Sequence, residues 1–182
     1  MNKGLFILLE GANGVGKSTH LSLLAANLQE AGYNNVITCR DPGSTPIGEY
    51  LRILLSEEKL NCTTQLFLFM AARLELVNNL IIPALERGQI VLCDRFSPST
   101  FVYQGQNFSD ELISSLDLLA RGENFRRAKP ELVFFLDGQN IKLIRIDTKK
   151  EAHVTIKPVV KALTSVSNFK VHVPVERRLI RL

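Results

Sequence analysis

Gly11-Ala12-Asn13-Gly14-Val15-Gly16-Lys17-Ser18-Thr19 fits the pattern G-x-x-x-x-G-K-[ST] at every fixed position. The flanks agree with it. Leu5 to Leu9 form an unbroken apolar run, as a strand buried on both faces requires. After the loop, Leu21, Leu24, Ala25 and Leu28 recur at helical spacing. Strand, glycine loop and helix in that order turn backbone N–H groups toward a phosphate at a helix N-terminus. The glycines permit backbone conformations that a Cβ would forbid. Lys17 is placed to reach β- and γ-phosphates, and the Ser18 hydroxyl to bind Mg²⁺. Residues 11–19 are thus expected to hold a nucleoside triphosphate.

The remainder of the chain repeats the alternation. Val36-Ile37-Thr38-Cys39 reads as a strand, followed by a turn at Asp41-Pro42-Gly43 and a helix over Ile47 to Leu55. A long helical region spans about Thr63 to Arg87, with a kink or break expected at Pro83 and an end at Gly88. Ile90 to Cys93 is the next strand, Asp110 to Leu119 a helix, and Leu132 to Leu136 a fourth strand. The pattern predicts an α/β chain: a three-layer, P-loop NTPase-type fold with a parallel sheet flanked by helices on both faces. Its 182 residues suit one domain, residues 1–182.

Ligands in such folds gather at the carboxyl ends of strands. Each strand here ends in reactive groups: Glu10 and the loop, Arg40 and Asp41, Asp94 and Arg95, and Asp137. These are expected to converge on one crevice. Asp94 can hold Mg²⁺ directly or through water, and Arg95 can bridge a phosphate with its forked donors. A simple ion pair between the two is the competing reading. Arg73 closes the run Phe67-Leu68-Phe69-Met70-Ala71-Ala72. On spacing alone such an arginine is more often a surface residue, and Phe69 more often a core residue, than either is functional.

Composition narrows the setting. Apolar residues make up 46% of the chain, enough for a sizeable core. No uninterrupted apolar run approaches the ~20 residues of a membrane span, and the N-terminus shows no cleavable signal pattern. Cys39, Cys62 and Cys93 are widely spaced and suit reduced thiols in the cytoplasm. The formal charge of +4 hides an asymmetry: residues 141–182 carry ten Lys/Arg against three Asp/Glu, leaving twelve against fifteen before them. A solvated face accounts for that tail, in which Phe169 alone interleaves as an aromatic. Neither nucleic acid nor a membrane is an expected partner.

The ordered motifs resemble the thymidylate kinases of the P-loop nucleoside monophosphate kinase group. They are the P-loop, Arg40-Asp41-Pro42-Gly43-Ser44-Thr45-Pro46-Ile47-Gly48, Phe67 to Arg73, Ile82-Pro83-Ala84-Leu85 with Gly88, Asp94-Arg95-Phe96 through Ser99 and Thr100 to Tyr103-Gln104-Gly105, and Pro130-Glu131-Leu132 leading to Leu136-Asp137. The resemblance covers residues 3 to about 138 and implies ATP-dependent phosphorylation of dTMP to dTDP, in a homodimer. It implies that Gly11 to Thr19 hold ATP, and that Ser18 and Asp94 hold Mg²⁺. Lys17, Asp94 and Arg95 would act in catalysis. Phe69 would stack on thymine, Arg73 contact the base or acceptor phosphate, and Arg95 bind that phosphate. Ser99, Thr100 and Gln104 would lie near the nucleotide, Tyr103 would crowd the sugar 2′ position, and Asp41 and Pro42 would border the monophosphate.

The chain also departs from the family pattern. Asn13 stands where many members carry Asp or Glu, so an amide replaces a charge. Gly14 resembles members that place catalytic arginines in a later lid. Residues 139–182 diverge from the family pattern, with Arg145, Lys149 and Lys150 as the nearest basic candidates. A helix over 157–163 and a strand over 169–173 would form a family-like ending; a non-homologous tail, as a frameshift gives, is the alternative. Two other functions therefore stand beside the dTMP kinase: a deoxynucleoside kinase, and a nucleotide-binding protein with impaired catalysis.

Overall fold

The computed structural model describes residues 4–122, 128–136, 140–145 and 170–172. Strand β1 (Leu5–Gly11) is buried at all seven positions. It pairs in parallel with β3 (Ile90–Asp94) on one side and β4 (Leu132–Leu136) on the other. β2 (Val36–Arg40) adds outside β3, also in parallel. Beyond β4 the sheet continues through β5 (Asn140–Arg145) and β6 (Lys170–His172), giving the order β2-β3-β1-β4-β5-β6. β5 runs antiparallel to β4 and parallel to β6. The parallel sheet expected from the sequence is formed by β1 to β4, and β5 adds to it an antiparallel strand that the sequence pattern does not announce. β6 falls where a last strand was expected, whereas a helix over 157–163 lies outside the described residues.

Side-chain alternation divides the core in two. Leu5, Ile7 and Leu9 of β1 pack with Leu92, Phe134 and Leu136 against Leu21, Leu24 and Leu28 of helix α1 (Lys17–Glu30). Phe6 and Leu8 face the other way with Val91, Cys93 and Val133. That face is covered by the C-terminal end of α3 (Cys62–Leu76), a π turn (Val77–Ile81) and α4 (Ile82–Glu86). Each fully buried Leu, Ile or Phe contributes about 1.5–3 kcal/mol. Cys39 and Cys93 are in this second layer, as their apolar surroundings suggested, and Cys62 is exposed.

The break expected at Pro83 is resolved as the π turn. A proline in a helix interior lacks the N–H for the bond one turn back. Here Pro83 sits within the first two positions of α4, and the preceding turn widens so that the Ile82 amide bonds Val77 instead. Gly88, at φ 74°, ends the region by returning its amide to the Leu85 carbonyl. By length and composition Cys62–Glu86 would suit a membrane, yet its apolar side lies against the sheet and a neighbouring helix.

α2 (Pro46–Glu57) begins where Thr45 Oγ1 accepts the Gly48 amide at 2.9 Å, with Pro46 in the first turn. Glu49 ties the preceding loop, accepting from the Ser44 amide at 2.6 Å and from Arg40 at 2.7 Å. Among the described residues, two further helices follow β3: α5 (Ser97–Gln104) and α6 (Asp110–Arg121). α5 escapes the sequence reading because its polar serines and Pro98 show no apolar period. Serine 109 caps α6 through the Leu112 amide, and Ile113, Asp117 and Ala120 form its buried side.

The Thr45–Gly48 turn gives a test. A Cβ on Gly48 would stand 2.8 Å from Thr45 Oγ1 and 2.9 Å from the Gly43 carbonyl oxygen. Gly48→Ala is expected to destabilise the fold by about 1–3 kcal/mol in urea titration. An unchanged midpoint would show that the loop gives way freely.

Candidate active site

The strand register brings the carboxyl ends together. Leu9, Arg40 and Asp94 lie level across three strands. One step beyond, the Arg95 amide donates to the Leu9 carbonyl at 3.0 Å and the Asp41 amide to the Asp94 carbonyl at 3.1 Å. The P-loop rises from β1 at this edge. Its turns need Gly11, Gly14 and Gly16, at φ 144°, 78° and 85°. Gly16 is the N-cap of α1, with no side chain capping the first turn, and uncapped amides at a helix N-terminus suit an anion. Lys17 folds over the loop with its ammonium 2.6 Å from the Ala12 carbonyl. Burial, then the nearby Arg95 guanidinium, draw its pKa below the usual lysine value, while Asp94 and Glu10 oppose the shift.

Asp94 and Arg95 turn to different partners, so they are not a self-contained ion pair. Ser18 donates its hydroxyl to Asp94 Oδ2 at 2.8 Å, leaving Asp94 Oδ1 buried without a hydrogen-bond partner. Arg95, held at φ 69°, donates from Nη2 to Asn13 Oδ1 at 2.7 Å and from Nη1 to Ser99 Oγ at 2.9 Å. Its Cζ lies 5.4 Å from the centre of the Tyr103 ring. Both members of the doublet are thereby bonded to the P-loop.

Beside this junction is a cavity of about 360 Å³. Asp41, Pro42, Phe69, Arg73, Arg95, Ser99, Thr100, Tyr103 and Gln104 all line it, together with Asn13, Arg52, Leu55, Ser56 and Phe96. Every residue assigned to the acceptor nucleotide by resemblance reaches this one space. Arg52, Leu55, Ser56 and Phe96 escaped the sequence reading. The first three lie on the exposed helix α2, where nothing local marks them; Arg52 donates to the Pro42 carbonyl at 3.0 Å. Arg40 leaves the group and pairs with Glu49 at the surface. Asp137 lies outside the described residues.

Arg73 corrects the reading of a surface arginine. It is 2% exposed. Nε donates to Asp41 Oδ2 at 2.7 Å, Nη1 to Asp117 Oδ1 at 2.8 Å and Nη2 to Thr100 Oγ1 at 2.8 Å. Its Cζ stands 5.1 Å from the Phe96 ring centre. Burial weakens the charged form, but Asp41 and Asp117 outweigh it and hold the arginine's pKa above its ordinary value. Asp117 also accepts from Ser97 at 2.6 Å and from Arg121 at 2.6 Å. Its only trace in the sequence is a carboxylate in step with Ile113 and Ala120 on the buried side of α6.

Arg145 is also corrected as a lid arginine. In β5 it pairs with Leu132, at the amino end of β4, while Leu136 at the other end lies level with Gly11. It therefore stands at the edge of the sheet opposite the P-loop. Lys149 and Lys150 lie outside the described residues.

Comparison with known proteins adds the family. A family model described as thymidylate kinase matches residues 9–173. A thymidylate kinase of Pseudomonas entomophila is 45% identical over 139 residues, covering 74% of this chain and 64% of the relative. One from Thermomicrobium roseum is 47% identical over 135 residues, covering 72% and 62%. The chain thus spans less than two thirds of the length of these curated relatives. A crystal structure of thymidylate kinase from Ehrlichia chaffeensis superposes with a TM-score of 0.68 at 31% identity, covering 93% of this chain and 89% of that one.

The buried charges give the test of this site. Asp117→Ala would leave Arg73 and Arg121 without a shared carboxylate, and should cost about 3–5 kcal/mol of unfolding free energy. Chemical denaturation measures it; a loss below about 1 kcal/mol would mean that the network relaxes without harm.

Proposed function

The chain belongs to the thymidylate kinase family, and from that premise we propose that it transfers the γ-phosphoryl group of ATP to dTMP, giving ADP and dTDP. The observation that carries this reading is the double tie between donor loop and acceptor cavity: Ser18 to Asp94 and Asn13 to Arg95. A donor on the P-loop and an acceptor in the cavity would meet at these two bonds, without a covalent intermediate.

The division of labour follows from the contacts. P-loop amides and Lys17 would bind the donor phosphates; with ATP in place, Lys17 would exchange the Ala12 carbonyl for phosphate oxygen. Arg95 would neutralise the acceptor phosphate, whose oxygen forms the new P–O bond as the bond to the β–γ bridging oxygen breaks. Asn13 supplies Arg95 with a neutral acceptor, so the guanidinium keeps its full charge for phosphate. Phe69 offers a ring for the base. Arg73 and Thr100, already bonded together, would read the base edge beside Gln104, whose Oε1 is buried without a partner. Tyr103, against Arg95, would crowd a 2′-hydroxyl.

Ser18 and Asp94 fit Mg²⁺. They are two oxygen donors in contact, with Asp94 Oδ1 unpartnered, and hard cations take such ligands. When bound, the ion would supply positive charge to the donor's phosphate oxygens. We place the reaction in the cytoplasm, consistent with three free thiols.

ADP release with dTMP, dUMP, dCMP, dAMP and dGMP is expected to show a preference for dTMP that Lys17→Ala abolishes. Equal rates on all five would overturn the substrate assignment, and faster use of thymidine than of dTMP would select a deoxynucleoside kinase. The position of Arg145 favours a second reading, a nucleotide binder with weak catalysis. An arginine finger is worth ~10³–10⁵ in rate. Calorimetric binding of ATP and dTMP with negligible turnover would support that alternative.

We further propose a homodimer through α2 and α3. These helices pack together and leave Ile47, Tyr50, Leu54, Phe67 and Leu74 exposed. Light scattering should give twice 20.4 kDa, reverting to the single-chain mass in Tyr50→Asp/Phe67→Asp. A monomeric wild type would refute it.

A further inference from the structure

Glu10 has no part in the reaction as drawn, yet it is a carboxylate 5% exposed at the end of the central strand. Burying a charge is costly unless it is paired or hydrogen-bonded. Both oxygens are engaged by the segment after β3. Oε1 accepts the Phe96 amide at 3.0 Å, and Oε2 accepts the Ser99 hydroxyl at 2.8 Å. Burial raises its pKa, against the opposing pull of Ser99, the Phe96 amide and Arg95.

The consequence lies one bond further on. A serine hydroxyl has a single proton, and a guanidinium can only donate. Because the carboxylate takes that proton, Ser99 Oγ must present a lone pair to Arg95 Nη1, 2.9 Å away. The other prong of the fork is fixed by Asn13. Arg95 leaves the backbone in the left-handed region, at φ 69°, so its direction is not set by an ordinary strand or helix.

We infer that Glu10 is a positioning residue that, by orienting the Ser99 proton, fixes one prong of the Arg95 fork for the acceptor phosphate. This rests on the reading of Arg95 as the ligand of that phosphate. The chain runs Glu10, Ser99, Arg95, and ends at the P-loop on Asn13. It makes the aim of the acceptor-binding arginine depend on the polarity of a buried hydrogen bond.

Glu10→Gln separates positioning from packing. The glutamine keeps the shape, and its oxygen can still accept from Phe96. Its amide nitrogen then faces Ser99 as a donor, and the serine proton is no longer drawn away from Arg95. With steady-state kinetics on the full chain, kcat/KM for dTMP is expected to fall about 10- to 100-fold, while KM for ATP stays within about twofold. Ser99→Ala should do the same, and the double variant should be little worse than either, because one chain is broken once. If Glu10→Gln fails to fold, Ser99→Ala carries the test alone. Arg95→Ala is the control on the underlying reading. Unchanged dTMP kinetics in Arg95→Ala would remove the reading itself. A large loss in Arg95→Ala, with Glu10→Gln and Ser99→Ala both at wild-type kcat/KM, would overturn the positioning role alone. Equal rises in KM for ATP and dTMP, or fully additive losses, would mark Glu10 as merely structural and overturn it as well.

Discussion

The burial of β1 on both faces is the constraint on which everything else depends. A strand with seven buried residues needs a partner along each edge and a helical layer on each side. Parallel pairing with β3 and β4 meets the first need, and it puts the carboxyl ends of all three strands at one rim. The P-loop and the Asp94-Arg95 doublet are therefore neighbours by register before any side chain is considered. The bond from the Arg95 amide to the Leu9 carbonyl extends that register by one step into the site.

A different principle builds the cavity beside the P-loop. Its wall rests on a buried cluster in which Arg73 and Arg121 meet Asp41 and Asp117. Formal charges in the cluster balance, so the cost of removing them from water is offset by short, multiply shared hydrogen bonds. In return, helices α3, α5 and α6 and the loop after β2 are tied at one point. The cluster leaves few donors of Arg73 uncommitted. Of five N–H groups, three are already bonded to protein.

Much of this was legible because it is written in local patterns. The glycine loop, the apolar strands and the residues that follow them are contiguous signals, and the nine acceptor residues named by resemblance all line one cavity. What escaped lacks a local signal. Asp117 is a polar residue in a leucine-spaced helix, and only three-dimensional contact shows that it faces Arg73. Arg52, Leu55 and Ser56 reach the cavity because of where α2 packs. α5 carries no apolar period, since its inner side is made of Ser97, Thr100 and Gln104. Arg145 was misread for the converse reason: composition counts a positive charge but is blind to the strand direction that carries it to the far edge.

The widened turn at Val77–Ile81 also bears on how this chain can vary. In a regular α-helix, Ile82 would be rotated from Val77 by about 140°. The bond from the Ile82 amide to the Val77 carbonyl brings the two nearly into line, and both face the sheet. The turn thus houses one residue beyond what regular winding needs. Loss of a single residue from the turn would therefore restore regular winding and keep both halves in phase, because residues four apart on an α-helix lie about 40° from alignment. Gain of one more residue would instead add about 100° of rotation. Shortening by one is thus open to this segment, whereas lengthening by one would turn either Ile82 and Ala84 from the sheet or Phe69 and Arg73 from the cavity.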